Sequence, residues 1–150
     1  MSRLHHIGLA VADLERSIAF YQAILGATIR ERSANSGDDV AEVTGLPGAR
    51  IVAADLGLPG GGWLELVQYV APPAERLEQE RNQPGHTHIG FLVDDADAAY
   101  ERLVANGAVP TSRPVRIAEP GSVWDGVRVL YVCDPDGRTI ECVEMRGGGK

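Results

Sequence analysis

The sequence predicts an α+β fold in which two βαβββ modules pair into one eight-stranded curved sheet, a half-barrel with its helices outside and a cleft within. Three observations predict it. His6-Ile7-Gly8, followed by Val11 and Asp13, recurs 82 residues later as His88-Ile89-Gly90, followed by Val93 and Asp95. Each copy runs into a segment with helical apolar spacing. The halves also close alike, on Leu64-Glu65-Leu66-Val67 and Ile140-Glu141-Cys142-Val143, 76 residues apart, with loops of unequal length absorbing the difference.

Taken in order, residues 6–11 read as a strand. Asp13 then caps a helix whose apolar residues Leu14, Ile18, Tyr21 and Leu25 share one face, and Gly26 stops it. TIRER, ARIVAADLGL and GWLELVQYV supply three further strands, completing module one over about residues 4–70. Module two, about residues 86–146, repeats the plan. Asp94 or Asp95 caps a helix with Ala96, Tyr100, Leu103 and Val104 as its buried stripe, Gly107 ends it, and strands follow around PVRIA, VRVLYVCD and RTIECVEMR. Residues 32–49, 71–85 and 113–126 are polar and rich in Gly or Pro, as binding loops and plain connectors both are. The closing GGGK is expected to be a disordered tail.

A chain of 150 residues with 44% apolar side chains buries one core, so residues 1–150 are expected to form a single domain. Fourteen Lys and Arg against 21 Asp and Glu give a net charge of -7, which disfavours a nucleic-acid partner. No apolar run is long enough to span a bilayer, and the N-terminal stretch lacks a signal-peptide core. A cytoplasmic protein with no membrane partner is expected. Cys133 and Cys142, both in apolar strands, read as reduced core thiols.

Strand parity then selects a site. Ile7, Leu9 and Val11 face the helix of their module, so His6, Gly8 and Ala10 face the other way. In the second copy Ile89, Phe91 and Val93 face the helix, leaving His86, His88 and Gly90 opposite. Leu64, Leu66, Ile140 and Cys142 take the packing side, which turns Glu65 and Glu141 to the face of the histidines. His6, Glu65, His88 and Glu141 thus occupy equivalent places in the two repeats. Two carboxylates turned into a cleft call for a cation. This mixed N/O set suits a divalent Ni, Co, Mn, Fe or Zn ion with open coordination positions.

The phrases HHIGLAVADLERSIAFYQAILG, WLELVQY, HTHIGFLVDD and DPDGRTIECVE resemble the vicinal oxygen chelate superfamily over Leu4–Glu144. That group includes glyoxalase I, methylmalonyl-CoA epimerase, extradiol dioxygenases, fosfomycin-resistance enzymes and bleomycin-resistance proteins. The resemblance implies one domain of paired modules around a metal held by His6, Glu65, His88 and Glu141, and a homodimer. Ala10 and Tyr69 stand where glyoxalase I carries an arginine and an asparagine that hold glutathione, so glutathione is not the expected substrate.

The resemblance implies a metal-dependent isomerase, lyase or epimerase that stabilises an enediolate of a small carbonyl or thioester substrate, with Glu141 or Glu65 as general base. His86 either assists at the rim or is a solvated residue at the strand start. An extradiol-type dioxygenase would need only His6, His88 and Glu141. The alternative is a resistance protein that sequesters a flat natural product without chemistry. Trp63, Tyr69, Trp124 and Tyr131 are candidate stacking surfaces for either ligand, and Trp63 and Tyr131 equally suit interior packing.

Overall fold

A computed structural model describes residues 2–76 and 80–147. It divides into two compact units, Met1–Leu77 and Glu78–Lys150. In the first, β1 (Ile7–Ala10) leads to α1 (Leu14–Leu25), β2 (Thr28–Ser36), α2 (Asp38–Thr44), β3 (Arg50–Gly57) and β4 (Trp63–Ala71). The sheet order is β1-β4-β3-β2, with β1 parallel to β4 and the remaining pairs antiparallel.

The second unit runs β5 (His88–Leu92), α3 (Ala96–Ala105), β6 (Val109–Pro110), β7 (Val115–Arg116), β8 (Arg128–Cys133) and β9 (Thr139–Glu144). Its order is β5-β9-β8-β6, with β7 also on β8 and β5 parallel to β9.

Both long helices start as the sequence dictates. The Asp13 carboxylate accepts from Arg16 N, and that of Asp95 accepts from Asp97 N and Ala98 N. The closing strand adds a second cap in each unit: Leu14 N donates to Gln68 Oε1 at 2.9 Å, and Ala96 N to Glu144 Oε2 at 2.8 Å. These two caps obey the same repeat as the sequence motifs. Gly26, at φ 65, ends α1. Asn106, with ordinary φ, is the C-cap of α3, one residue before Gly107.

Each unit buries its own apolar layer. Leu9, Ile18, Tyr21, Leu64 and Leu66 pack in the first, and Ala99, Leu103, Leu130, Ile140 and Cys142 in the second. Each fully buried leucine stabilises by about 1.5–3 kcal/mol. Tyr100 is only half-buried and Val104 exposed, so α3 is anchored by Ala96, Ala99 and Leu103 instead.

The structure corrects the expectation of one eight-stranded curved half-barrel. The ladders form two separate sheets, of four and five strands, and neither is closed or curled. The physical reason lies within each module: β1 finds its partner in β4 and β5 finds its own in β9, under that module's own helix. Each hydrogen-bonded path is therefore complete with two free ends. The ninth strand arises because Ser112, Arg113 and Pro114 step out of the ladder between β6 and β7. Pro114 has no N–H to donate, and the two pieces pair with β8 in registers two residues apart.

A further correction is α2, a two-turn helix inside the stretch expected to be a loop; it buries no residue, which is why no apolar stripe announces it. The expected tail over Gly148–Lys150 lies outside the described residues, as do residues 77–79 of the expected loop 71–85.

Candidate functional site

In the first unit, β1 and β4 run side by side with Gly8 opposite Glu65 and Leu9 opposite Leu66. Leu64 and Leu66 are fully buried, so Glu65 points to the other face, where His6 Nε2 lies 3.2 Å from its Oε2. In the second unit Gly90 stands opposite Glu141, and His88 Nε2 lies 3.2 Å from Glu141 Oε2. The repeat read in the sequence is therefore a repeat in side-chain geometry.

Glycine makes room for each pair. A Cβ on Gly8 would lie 3.6 Å from Glu65 Oε2, and one on Gly90 only 3.3 Å from Glu141 Oε2. At Gly90 an added methyl would press the carboxylate away from its histidine, whereas at Gly8 it would meet ordinary van der Waals contact.

The surroundings of the two pairs differ. His6 is oriented by His5, whose Nδ1 sits 2.8 Å from His6 Nδ1, leaving Nε2 for Glu65. Trp63 stacks near His6, at 6.2 Å between ring centroids, and makes an edge contact with His5 at 4.4 Å. The guanidinium of Arg30 covers the Trp63 ring at 4.3 Å, a cation–π contact. In the second unit, Tyr131 lies directly across the ladder from Glu141 and hydrogen-bonds to it. Burial first, then the Glu141 charge and that hydrogen bond, raise the pKa of the Tyr131 hydroxyl, so it stays protonated and donates. The Tyr131 ring also lies 5.6 Å from that of His88.

The register that sets Tyr131 opposite Glu141 is fixed by the turn at Asp134-Pro135-Asp136-Gly137. The buried Asp134 carboxylate accepts from Asp136 N, Arg138 N and the Arg138 guanidinium.

A cavity of about 430 Å³ opens in the second unit beside Glu141, with Tyr131, Trp124, Val115 and Val129 among its walls. Two of the residues expected to meet a ligand, Trp124 and Tyr131, thus come together with an expected metal ligand. His86 Nε2 is 3.0 Å from the buried Thr139 hydroxyl, which gives it an anchoring role at the start of β5. Tyr69 is half-buried further along β4, and no ring contact joins it to Trp63 or His6 among the described residues.

His5, Arg30 and Glu119 were not picked out by sequence reasoning. His5 carried a signal, being the first of an adjacent histidine pair; Arg30 and Glu119 carried none, because neither belongs to the repeat. Both cysteines are free, as expected. Cys142 is buried and its thiol pKa is pushed up to about 11, while half-buried Cys133 accepts from Arg81 at 3.3 Å.

Donor atoms about 3 Å apart match neighbouring ligands around an ion bound at about 2.1 Å. Each 3.2 Å pair fits that spacing. Among the described residues no group of three or more His, Cys, Asp or Glu side chains is placed to hold a metal ion, so each unit offers two donors.

Known proteins resemble the chain over nearly its whole length. The family model of the "Glyoxalase/Bleomycin resistance protein/Dioxygenase superfamily" matches residues 3–142. A lactoylglutathione lyase of Salmonella typhimurium is 32% identical, across 99% of this chain and 96% of its own. A 2-epi-5-epi-valiolone epimerase of an Actinomyces species is 28% identical, across 97% and 80%. The crystal structure of a glyoxalase family protein from Bacillus cereus superposes with a TM-score of 0.83 at 25% identity, covering 98% of this chain and 96% of the other. A fosfomycin resistance protein of Listeria monocytogenes, solved with Mn(II) and sulfate, shares the fold at a TM-score of 0.63 and 19% identity, covering 98% and 95%. With its repeated His–Glu pairs and a family match over nearly its whole length, the chain belongs to the glyoxalase/bleomycin resistance protein/dioxygenase superfamily.

Proposed function

We propose that the chain is a divalent-metal-dependent isomerase, lyase or epimerase that moves a proton next to the carbonyl of a small substrate. The observation that carries this reading is the duplicated pair, His6–Glu65 and His88–Glu141, each at 3.2 Å on the face opposite its core. A module that only packed or only bound an apolar ligand has no need of two such pairs. Relatives of similar identity include both a lyase and an epimerase, which supports proton transfer as a class without choosing a substrate.

In this reading His6, Glu65, His88 and Glu141 are the ligands for a Ni, Co, Mn, Fe or Zn ion. When bound, the ion supplies Lewis-acid stabilisation of charge developing on a substrate oxygen. The protein's own groups do the rest. Glu141, in the wall of the cavity, takes the substrate proton, with Glu65 as its counterpart in the other module. The Tyr131 hydroxyl orients the Glu141 carboxylate through its hydrogen bond. His5 fixes the ring of His6, and Trp63 and Trp124 offer flat faces to the substrate. The same reading takes the chain to act as a cytoplasmic homodimer.

Metal-stripped protein should take up one of the five ions stoichiometrically, and the variants His88→Ala and Glu141→Gln should not. The loaded protein should then exchange the α-proton of a 2-oxo or thioester substrate into deuterated water. Absence of stoichiometric uptake would sink the metal site, and uptake without exchange on any such substrate would sink the proton transfer. The second reading, sequestration of a flat natural product, draws on the cavity beside Trp124. It would show as tight binding of a polycyclic compound, with tryptophan quenching and no turnover.

A further inference from the structure

We propose that the cavity of the second unit selects its substrate by charge, admitting molecules without a negative charge and rejecting anions, with Glu119 and Trp124 as the selecting residues. The inference rests on the reading above in placing the reacting end of the substrate at Glu141, and it concerns the other end.

At about 430 Å³ the cavity lies in the lower part of the range of about 300–1,000 Å³ typical of small-molecule sites. Its charged lining groups are Glu119 and Glu141, with no Lys or Arg among the described lining residues. Two of the neighbouring cations are engaged elsewhere. Arg113 pairs with Glu101 and lies over the Tyr100 ring, and Arg128 pairs with Asp97 and Glu144. An anionic group at the Glu119 end would gain no counter-charge from the lining side chains and would face a carboxylate. The Glu119 carboxylate has no hydrogen-bond or ion-pair partner among the described residues, so it can accept from a ligand hydroxyl or ammonium group.

The loop bearing both residues is held in shape. Ile117 N donates to Val127 O and Gly126 N to Ile117 O, closing the loop at its base. Ser122 N donates to Glu119 O, and Trp124 N to the Ser122 hydroxyl, so Glu119 and Trp124 sit on linked turns. Trp124 remains 44% exposed, a fixed aromatic face for an apolar or flat part of a ligand. The substrate class that fits is an uncharged or cationic hydroxy-carbonyl compound with an apolar face and a hydrogen-bond donor at its far end.

The test uses three probes that share one hydroxy-ketone end, 2-hydroxy-1-phenylethanones carrying a para hydroxymethyl, aminomethyl or carboxylate group. Binding to the full chain is measured by calorimetry, without metal and after loading. The hydroxymethyl and aminomethyl probes should bind at least tenfold more tightly than the carboxylate. Glu119→Lys should reverse that order, the isosteric Glu119→Gln should shrink it, and Trp124→Ala should weaken all three probes together. Equal binding of the three by the wild type, an order unmoved by Glu119→Lys, or no binding of any probe would each overturn the proposal. Because the order is read without metal, its survival alongside failed metal uptake would remove only the metal reading. Intact uptake with the order lost would remove only this one.

Discussion

Gly90→Ala tests how the His–Glu pairs are held. The added methyl would sit 3.3 Å from Glu141 Oε2, a few tenths of an ångström inside ordinary contact, so the carboxylate must retreat from His88 Nε2 by a similar amount. Changes in the supporting shell of a metal site weaken affinity by about 10–100-fold. A shift this small belongs at the lower end, about tenfold. Gly8→Ala is the internal control, since its methyl would lie 3.6 Å from Glu65 Oε2, ordinary van der Waals contact, and should cost about twofold or less. Neither glycine has a positive φ, so alanine fits both backbones and should leave stability unchanged or raise it by about 0.5–1 kcal/mol. Metal titration against a competing chelator, run beside urea unfolding, reads both quantities. Equal losses in the two variants, or full affinity in a folded Gly90→Ala protein, would refute the idea that glycine sets the carboxylate's position.

Three further outcomes follow from the packing. Asp95→Ala removes the acceptor of two helix N–H groups and Asp13→Ala that of one, so urea unfolding should show losses of about 1 kcal/mol, larger for Asp95. Asp134→Ala strips the turn before β9 of the acceptor for two backbone N–H groups and a guanidinium and should cost about 2–4 kcal/mol, most of it recovered in Asp134→Asn; equal stability would show that the turn does not set the hairpin. The buried Cys142 thiol has its pKa raised to about 11, so its contribution to stability is complete below the unfolded thiol's pKa and is lost as pH rises from there through about 11. Unfolding at successive alkaline pH values should show that loss in the wild type and a smaller one in Cys142→Ala, and parallel curves would contradict it.

The features legible in the sequence are those that a repeat and a period of two can encode. His6 and His88 stand two residues before Gly8 and Gly90, and those glycines pair with Glu65 and Glu141, so offset and parity alone brought each histidine to its carboxylate. The paired caps from Gln68 and Glu144 obey the same offsets and were equally available. So was the contact of Tyr131 with Glu141: once residues 135–137 are taken as a three-residue loop between Asp134 and Arg138, the ladder sets residue 131 opposite 141. What parity cannot encode is how many ladders the strands form. Apolar alternation says that Leu64 and Ile140 face a core, but each module satisfies that demand with its own helix, and this is why the expected half-barrel gave way to two open sheets.

The loops set a different limit, and it bears on function. Ile117, Glu119 and Trp124 have no periodic spacing, and their arrangement depends on backbone bonds between residues 117 and 126–127 and on the Ser122 hydroxyl. Such contacts leave no pattern in the sequence. The repeated part of the chain therefore accounts for what both modules share, a histidine beside a carboxylate in each. The unrepeated part must account for what distinguishes this protein from other members of its superfamily. Substrate choice is thus better sought at Glu119 and Trp124, and at Arg30 over Trp63, than at the histidines. If exchanging the loop of residues 117–126 for a relative's changed metal uptake but not ligand preference, that division of labour would be wrong.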